Sequence, residues 1–132
     1  MKLPNIFERE VAPLSFVAGT TVFAEGEKPN SMYVVRSGEV ELKLGGSTVE
    51  TVGPDSFFGE MALIDHSLRC ASAVAKSDCE LIPIDEKRFL FMVEETPFFA
   101  LTVMRTLAAR LRHMDRHFEA LLRNEMANDN SR

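Results

Sequence analysis

The chain has 132 residues, 45% of them hydrophobic and 27% charged, and a formal net charge of −5. That length holds one sizeable core, and the composition is that of a folded globular chain, not a disordered or fibrous one. The acidic balance disfavours nucleic acid as a partner, because its binders carry a basic face that displaces phosphate counterions.

The two cysteines, Cys70 and Cys79, lack CxxC spacing and make neither a disulfide framework nor a zinc site. They read as reduced, partly buried thiols of a cytoplasmic protein. The first residues lack a long apolar run, so no signal peptide is expected, and no apolar run approaches the ~20 residues of a membrane helix.

Residues 6–11 fit a short helix that Pro13 stops. From Leu14 to Ile84, short β-branched and aromatic runs alternate with glycines, the pattern of an all-β sandwich or barrel. Strands are expected at 20–23 and 31–36. Next, Val40, Leu42 and Leu44 alternate with Glu39, Glu41 and Lys43, a strand with one wet face. Gly45-Gly46 is a hairpin signal, with the returning strand at 48–52. Runs at 70–75 and 79–84 complete the β part. Asp85 suits a helix N-cap for residues 86–95. Thr96-Pro97 then starts a helix that meets no glycine or further proline before about residue 126. On it, Met104, Leu107, Leu111, Met114, Phe118 and Leu121 recur at steps of three and four, a heptad stripe. Packing on the chain's own barrel is one use for such a stripe. Pairing in a homodimer is favoured, because the stripe runs past the length that covers a small barrel. One domain is expected over 1–126, with 127–132 a disordered tail.

Between two strands lies the run Asp55-Ser56-Phe57-Phe58-Gly59-Glu60-Met61-Ala62-Leu63-Ile64, continuing to Leu68-Arg69-Cys70-Ala71-Ser72-Ala73. The glycine allows close backbone approach to a ligand. Residues 60–64 suit one helical turn, whose first N–H groups favour an anion. Arg69 supplies charge-assisted donors for phosphate oxygens, while Glu60 can only accept, as from ribose hydroxyls. Small residues at Ala71, Ser72 and Ala73 leave room beside a phosphate. An isolated Glu/Arg pair would be a surface ion pair of ~0–1 kcal/mol, so the joint pattern carries the argument.

That pattern resembles the phosphate-binding cassette of cyclic-nucleotide-binding domains, the superfamily of the catabolite activator protein, the protein kinase A regulatory subunit and nucleotide-gated channels. The runs from Gly19 to Glu27 and from Met32 to Val40 resemble its glycine-marked barrel, and the likeness spans about residues 10–120. It implies a mainly β fold: a β-roll or jelly-roll barrel over about 14–84 with a short N-terminal helix, a cassette helix and C-terminal helices over about 86–126. It implies a binding site of Phe58, Gly59, Glu60, Met61, Ala62, Arg69, Cys70 and Ala71, with Glu60 on the ribose 2′-hydroxyl and Arg69 on the cyclic phosphate. Backbone N–H groups near Gly59, Ala62 and Ala71 would complete the cradle. From the long helix, Arg110 and Met114 would face the pocket, with Asp115 beside Met114 as a candidate partner of an adenine amino group.

Two positions depart from the pattern. Cys70 stands where Ala, Ser or Thr is usual; as a weak donor it does not favour guanine. Leu68 stands where a proline is common. The expected ligand is therefore cAMP before cGMP, and the expected role a non-catalytic sensor acting through its C-terminal helix. No room is left for a winged helix-turn-helix, so no DNA-binding domain is expected. The alternatives are a ligand-free dimerisation or docking module, or a fragment of a larger regulator or channel. A metal-dependent barrel enzyme would need clustered histidines on strands. His66, His113 and His117 lie on none, and His113 and His117 are only a weak metal spacing. No nucleophile–base pair is legible either.

Overall fold

A computed structural model describes residues 12–130, and within them every side chain except those of residues 62, 117 and 127–130. The helix expected at 6–11 lies outside the described residues. Contacts divide the chain into two compact units that meet in sequence at Pro97 and Phe98, where the sequence suggests one domain through residue 126. Each unit is described by itself.

The first unit holds eight strands, β1 (Leu14–Phe16), β2 (Thr21–Phe23), β3 (Met32–Ser37), β4 (Val40–Leu44), β5 (Ser47–Val52), β6 (Phe57–Phe58), β7 (Ser72–Ala75) and β8 (Cys79–Ile84). They form two four-stranded sheets in the orders β1-β8-β3-β6 and β2-β7-β4-β5. Every pairing is antiparallel. This is the mainly β, jelly-roll-like architecture that the sequence pattern implies.

Local chemistry sets the pairings. Gly45 and Gly46 have φ of 56° and 85°, the doubly left-handed turn that matches strand twist, so Leu44 faces Ser47 across a two-residue hairpin. Pro83 has no N–H to give a ladder, yet it lies inside β8. It is tolerated because β1 pairs only with Cys79–Leu81 and leaves that edge open. The core forms where the sheets face each other: Phe23, Val40 and Ala73 from one, Val35, Phe58 and Leu81 from the other. Each large side chain so buried contributes ~1.5–3 kcal/mol.

Two strands, β1 and β6, are absent from the sequence reading. With three and two residues they are too short to show a period of two, and partner strands define them. The run at 70–75 becomes a strand only from Ser72.

Helix α1 (Met61–Asp65) follows β6, and His66 ends it in the left-handed conformation with φ 57°. Helix α2 (Glu86–Glu95) begins at Asp85, whose carboxylate accepts from the Arg88 N–H at 2.8 Å, the expected cap. Thr96 closes α2 by donating its N–H to the Met92 carbonyl. Helix α3 spans Pro97–Asn130, in the second unit from Phe98 onward. The expected disordered tail at 127–132 is corrected over 127–130, which continue α3 because no glycine or proline interrupts them; residues 131–132 lie outside the described residues. Among the described residues no helix is long and apolar enough to cross a membrane.

Candidate functional site

The segment from β6 to β7 places its chemistry by burial. Phe58 is fully buried in β6, where it pairs with Tyr33 of β3. Gly59 follows with φ 79°, a conformation that favours glycine. A Cβ there would lie 2.8 Å from Arg69 Nη1 and 3.3 Å from the Phe23 ring. The glycine thus admits both neighbours.

Glu60 precedes α1 and is only 4% exposed; its carbonyl accepts from the Leu63 and Ile64 N–H groups. Met61 opens α1 with its side chain exposed. Ala62 lies in α1, and its side chain lies outside the described residues. Cys70 is exposed and Ala71 half-buried.

Arg69 is 6% exposed. Its backbone is pinned between β2 and β3: Gly26 N–H donates to its carbonyl at 2.8 Å, and its own N–H donates to the Glu27 carbonyl at 2.9 Å. Its Nη1 donates to the Gly59 carbonyl at 3.0 Å and its Nη2 to the Ser31 carbonyl at 2.5 Å. The guanidinium carbon stands 3.9 Å from the centroid of the Phe23 ring. Among the described residues no carboxylate forms an ion pair with it, and Nε is buried with no hydrogen-bond partner. Burial pulls its pKa below the ordinary arginine value, while Tyr33, Glu27, Cys70 and Glu60 push it back up. It remains a cation at any ordinary pH.

A buried charge is normally paired or bound to an ion, because stripping its water costs several kcal/mol. Two carbonyl dipoles and one ring only partly offset that cost here. The arrangement has unused capacity for an anion, with a second buried charged residue, Glu60, in the same segment.

Of the expected site residues, those at 58–62 and 69–71 belong to this segment, and Gly59 and Arg69 touch. Arg110 and Met114 lie one turn apart on α3, in the second unit; Arg110 is half-buried and Met114 exposed. Sequence reasoning missed Phe23 and Ser31. Phe23 is the one aromatic of its strand, but nothing local in the sequence ties it to Arg69. Ser31 acts through its main-chain carbonyl, which no side-chain pattern encodes.

The family described as "Cyclic nucleotide-binding domain" matches residues 13–96. The chain belongs to this family. A cyclic AMP receptor protein from Thermus thermophilus is 35% identical over 129 residues, covering 94% of this chain and 58% of that protein. The crystal structure of the Thermus thermophilus catabolite activator protein superposes with a TM-score of 0.73 at 34% identity, over 84% of this chain and 55% of that one. A chain solved in work on a cyclic-GMP-dependent signalling pathway that regulates bacterial phytopathogenesis gives 0.71 at 27% identity, over 84% of this chain and 94% of that one. This chain thus spans less than two-thirds of the length of the cyclic AMP receptor it resembles. Among the described residues, no group of three or more His, Cys, Asp or Glu side chains is placed to hold a metal ion.

Proposed function

We propose that this cyclic nucleotide-binding domain is a cAMP sensor of the cytoplasm, non-catalytic, in which Arg69 holds the cyclic phosphate and Glu60 the ribose 2′-hydroxyl. The observation that carries the reading is the buried Arg69 guanidinium, which among the described residues forms no ion pair with a carboxylate and has an unused Nε–H. An anion of fixed shape satisfies that donor and offsets the desolvation of the cation in one step. Glu60 adds an acceptor-only group for a sugar hydroxyl. The choice of cAMP rests on the named cyclic AMP receptor and on Cys70, a poor donor to a guanine edge. Phe58, Met61 and Ala71 complete the cassette segment, with the backbone of Ala62.

Output passes through α3, whose heptad stripe joins two copies. The ligand shifts any such equilibrium only by its differential affinity for the two states. Calorimetric titration of the chain with cAMP, cGMP and 2′-deoxy-cAMP tests the ligand assignments. The expected order of affinity is cAMP first, with 2′-deoxy-cAMP weakened by the loss of the Glu60 contact. No heat at millimolar cAMP overturns the sensor. A preference for cGMP overturns the ligand choice alone.

A further inference from the structure

We infer that Phe23 is a positioning residue for Arg69, its ring holding the guanidinium in the orientation from which it meets the phosphate. The inference rests on the reading of Arg69 as the phosphate ligand and adds a residue from another strand to it.

Three chain segments converge on the guanidinium. Gly59 offers a carbonyl to Nη1, Ser31 a carbonyl to Nη2, and Phe23 of β2 the face of its ring at 3.9 Å. Two hydrogen bonds to carbonyls leave the planar group free to rock about the line joining their acceptors. A ring face beneath the plane removes that freedom, because the attraction between a cation and the quadrupole falls as the cation leaves the face. The group is desolvated, the condition under which this attraction is strongest. Each Nη keeps a second N–H beyond its bond to a carbonyl, and Nε is buried with no hydrogen-bond partner, so donors remain for an anion. The cation is therefore held before the anion arrives, and the cost of ordering a long side chain falls on folding instead of on binding.

The ring is itself fixed. Its centroid lies 5.8 Å from that of Phe58 and 6.2 Å from that of Tyr33, and those two rings stack at 5.5 Å. Phe23 thereby joins the core cluster to the charged group. Core packing alone accounts for a large apolar residue at this position. It does not require an aromatic face under the cation, and that difference is what can be tested.

The test keeps shape and changes the electrons. Phe23 is replaced by mono-, di- and trifluorophenylalanine in the full chain, and cAMP affinity is measured by calorimetry. The same series is made in the Arg69→Lys and Arg69→Leu backgrounds. The expected result is a stepwise fall in affinity with each fluorine, reaching on the order of tenfold for the trifluoro ring. Thermal stability should change little along the series. The slope should vanish with leucine at position 69 and shrink with lysine. A flat series, or one that falls equally in the leucine background, overturns the positioning role. If Arg69→Leu itself leaves cAMP affinity unchanged, the phosphate reading is what fails, and the role of Phe23 fails with it.

Discussion

Arg69 and the apolar stripe of α3 break the usual partition of side chains in opposite senses. Around Arg69 a cation is 94% shielded from water, and among the described residues no carboxylate forms an ion pair with it. Along α3, Leu111 is 64% exposed, Phe118 61% and Met126 66%. Scattered surface leucines are ordinary, whereas buried charge and a contiguous exposed apolar stripe are the departures that carry information. Both are candidate surfaces for completion by a partner. They differ in how closely the partner is specified. Two carbonyls and a ring fix the geometry of the guanidinium at Arg69, which restricts the shape of an anion that would meet it. The α3 stripe fixes only a spacing, which a second amphipathic helix satisfies.

The largest effect belongs to the stripe. Leu111→Glu combined with Phe118→Lys removes two large side chains from each helix of a pair, each worth ~1.5–3 kcal/mol when buried. The expected outcome is a dimer for the unaltered chain and a monomer for the double variant by sedimentation velocity. A persistent dimer, or an unaltered chain that is already monomeric, rejects the helix seam. Cyclic-nucleotide affinity is a separate readout that separates the two regions.

Next is Arg69→Leu. Loss of a charged, hydrogen-bonded contact should weaken cAMP binding by roughly 2 kcal/mol or more, about thirtyfold. The same substitution removes a buried cation that lacks a carboxylate partner, so the melting temperature should hold or rise. A function-neutral but destabilising Arg69→Leu would reverse the comparison, making the arginine structural and its burial incidental.

Gly59→Ala probes the same cluster through its backbone. A φ of 79° strains an alanine, and its Cβ would stand 2.8 Å from Arg69 Nη1. The expected loss of stability is about 1–3 kcal/mol in denaturant titration, with weaker cAMP binding because the guanidinium must shift. A variant with unchanged stability and affinity would mean the cluster relaxes freely.

The two regions also differ in how far the sequence discloses them. The stripe is fully legible, since helical periodicity is local. The helix that carries it ends at Asn130, where about 126 is expected, because polar residues such as Asn128 weaken a helix without breaking it. Gly59, Glu60 and Arg69 were legible as a motif, and the hairpin at Gly45-Gly46 as turn chemistry. The settings of Phe23 and Ser31 were not. They reach Arg69 only because β2 pairs with β7 and β3 with β6, and register between distant strands leaves no local trace. The same reason hid β6, two residues held by Tyr33 and Val34.

The smallest effect compares two thiols that the sequence treated alike. Cys70, beside Arg69, is exposed, whereas Cys79 in β8 is buried. Both were read as partly buried, which the structure corrects: Cys70 precedes β7 and follows the edge of the cassette, while Cys79 faces the core cluster. Burial, with a smaller contribution from Asp78, pushes the Cys79 thiol up. A group raised in this way stabilises the fold below its unfolded value of ~8.5 and loses that contribution as pH rises through the folded value. Stability should therefore decline slightly on the alkaline side, and Cys79→Ala should abolish that part of the decline. In the native chain an alkylating reagent should modify one thiol quickly, Cys70, and the second only on unfolding, as read by intact mass. Saturating cAMP should slow the fast reaction if the ligand lies against the cassette. Protection of neither thiol would place the nucleotide away from Arg69, and fast labelling of both would show that the sheets open far more readily than a packed core allows.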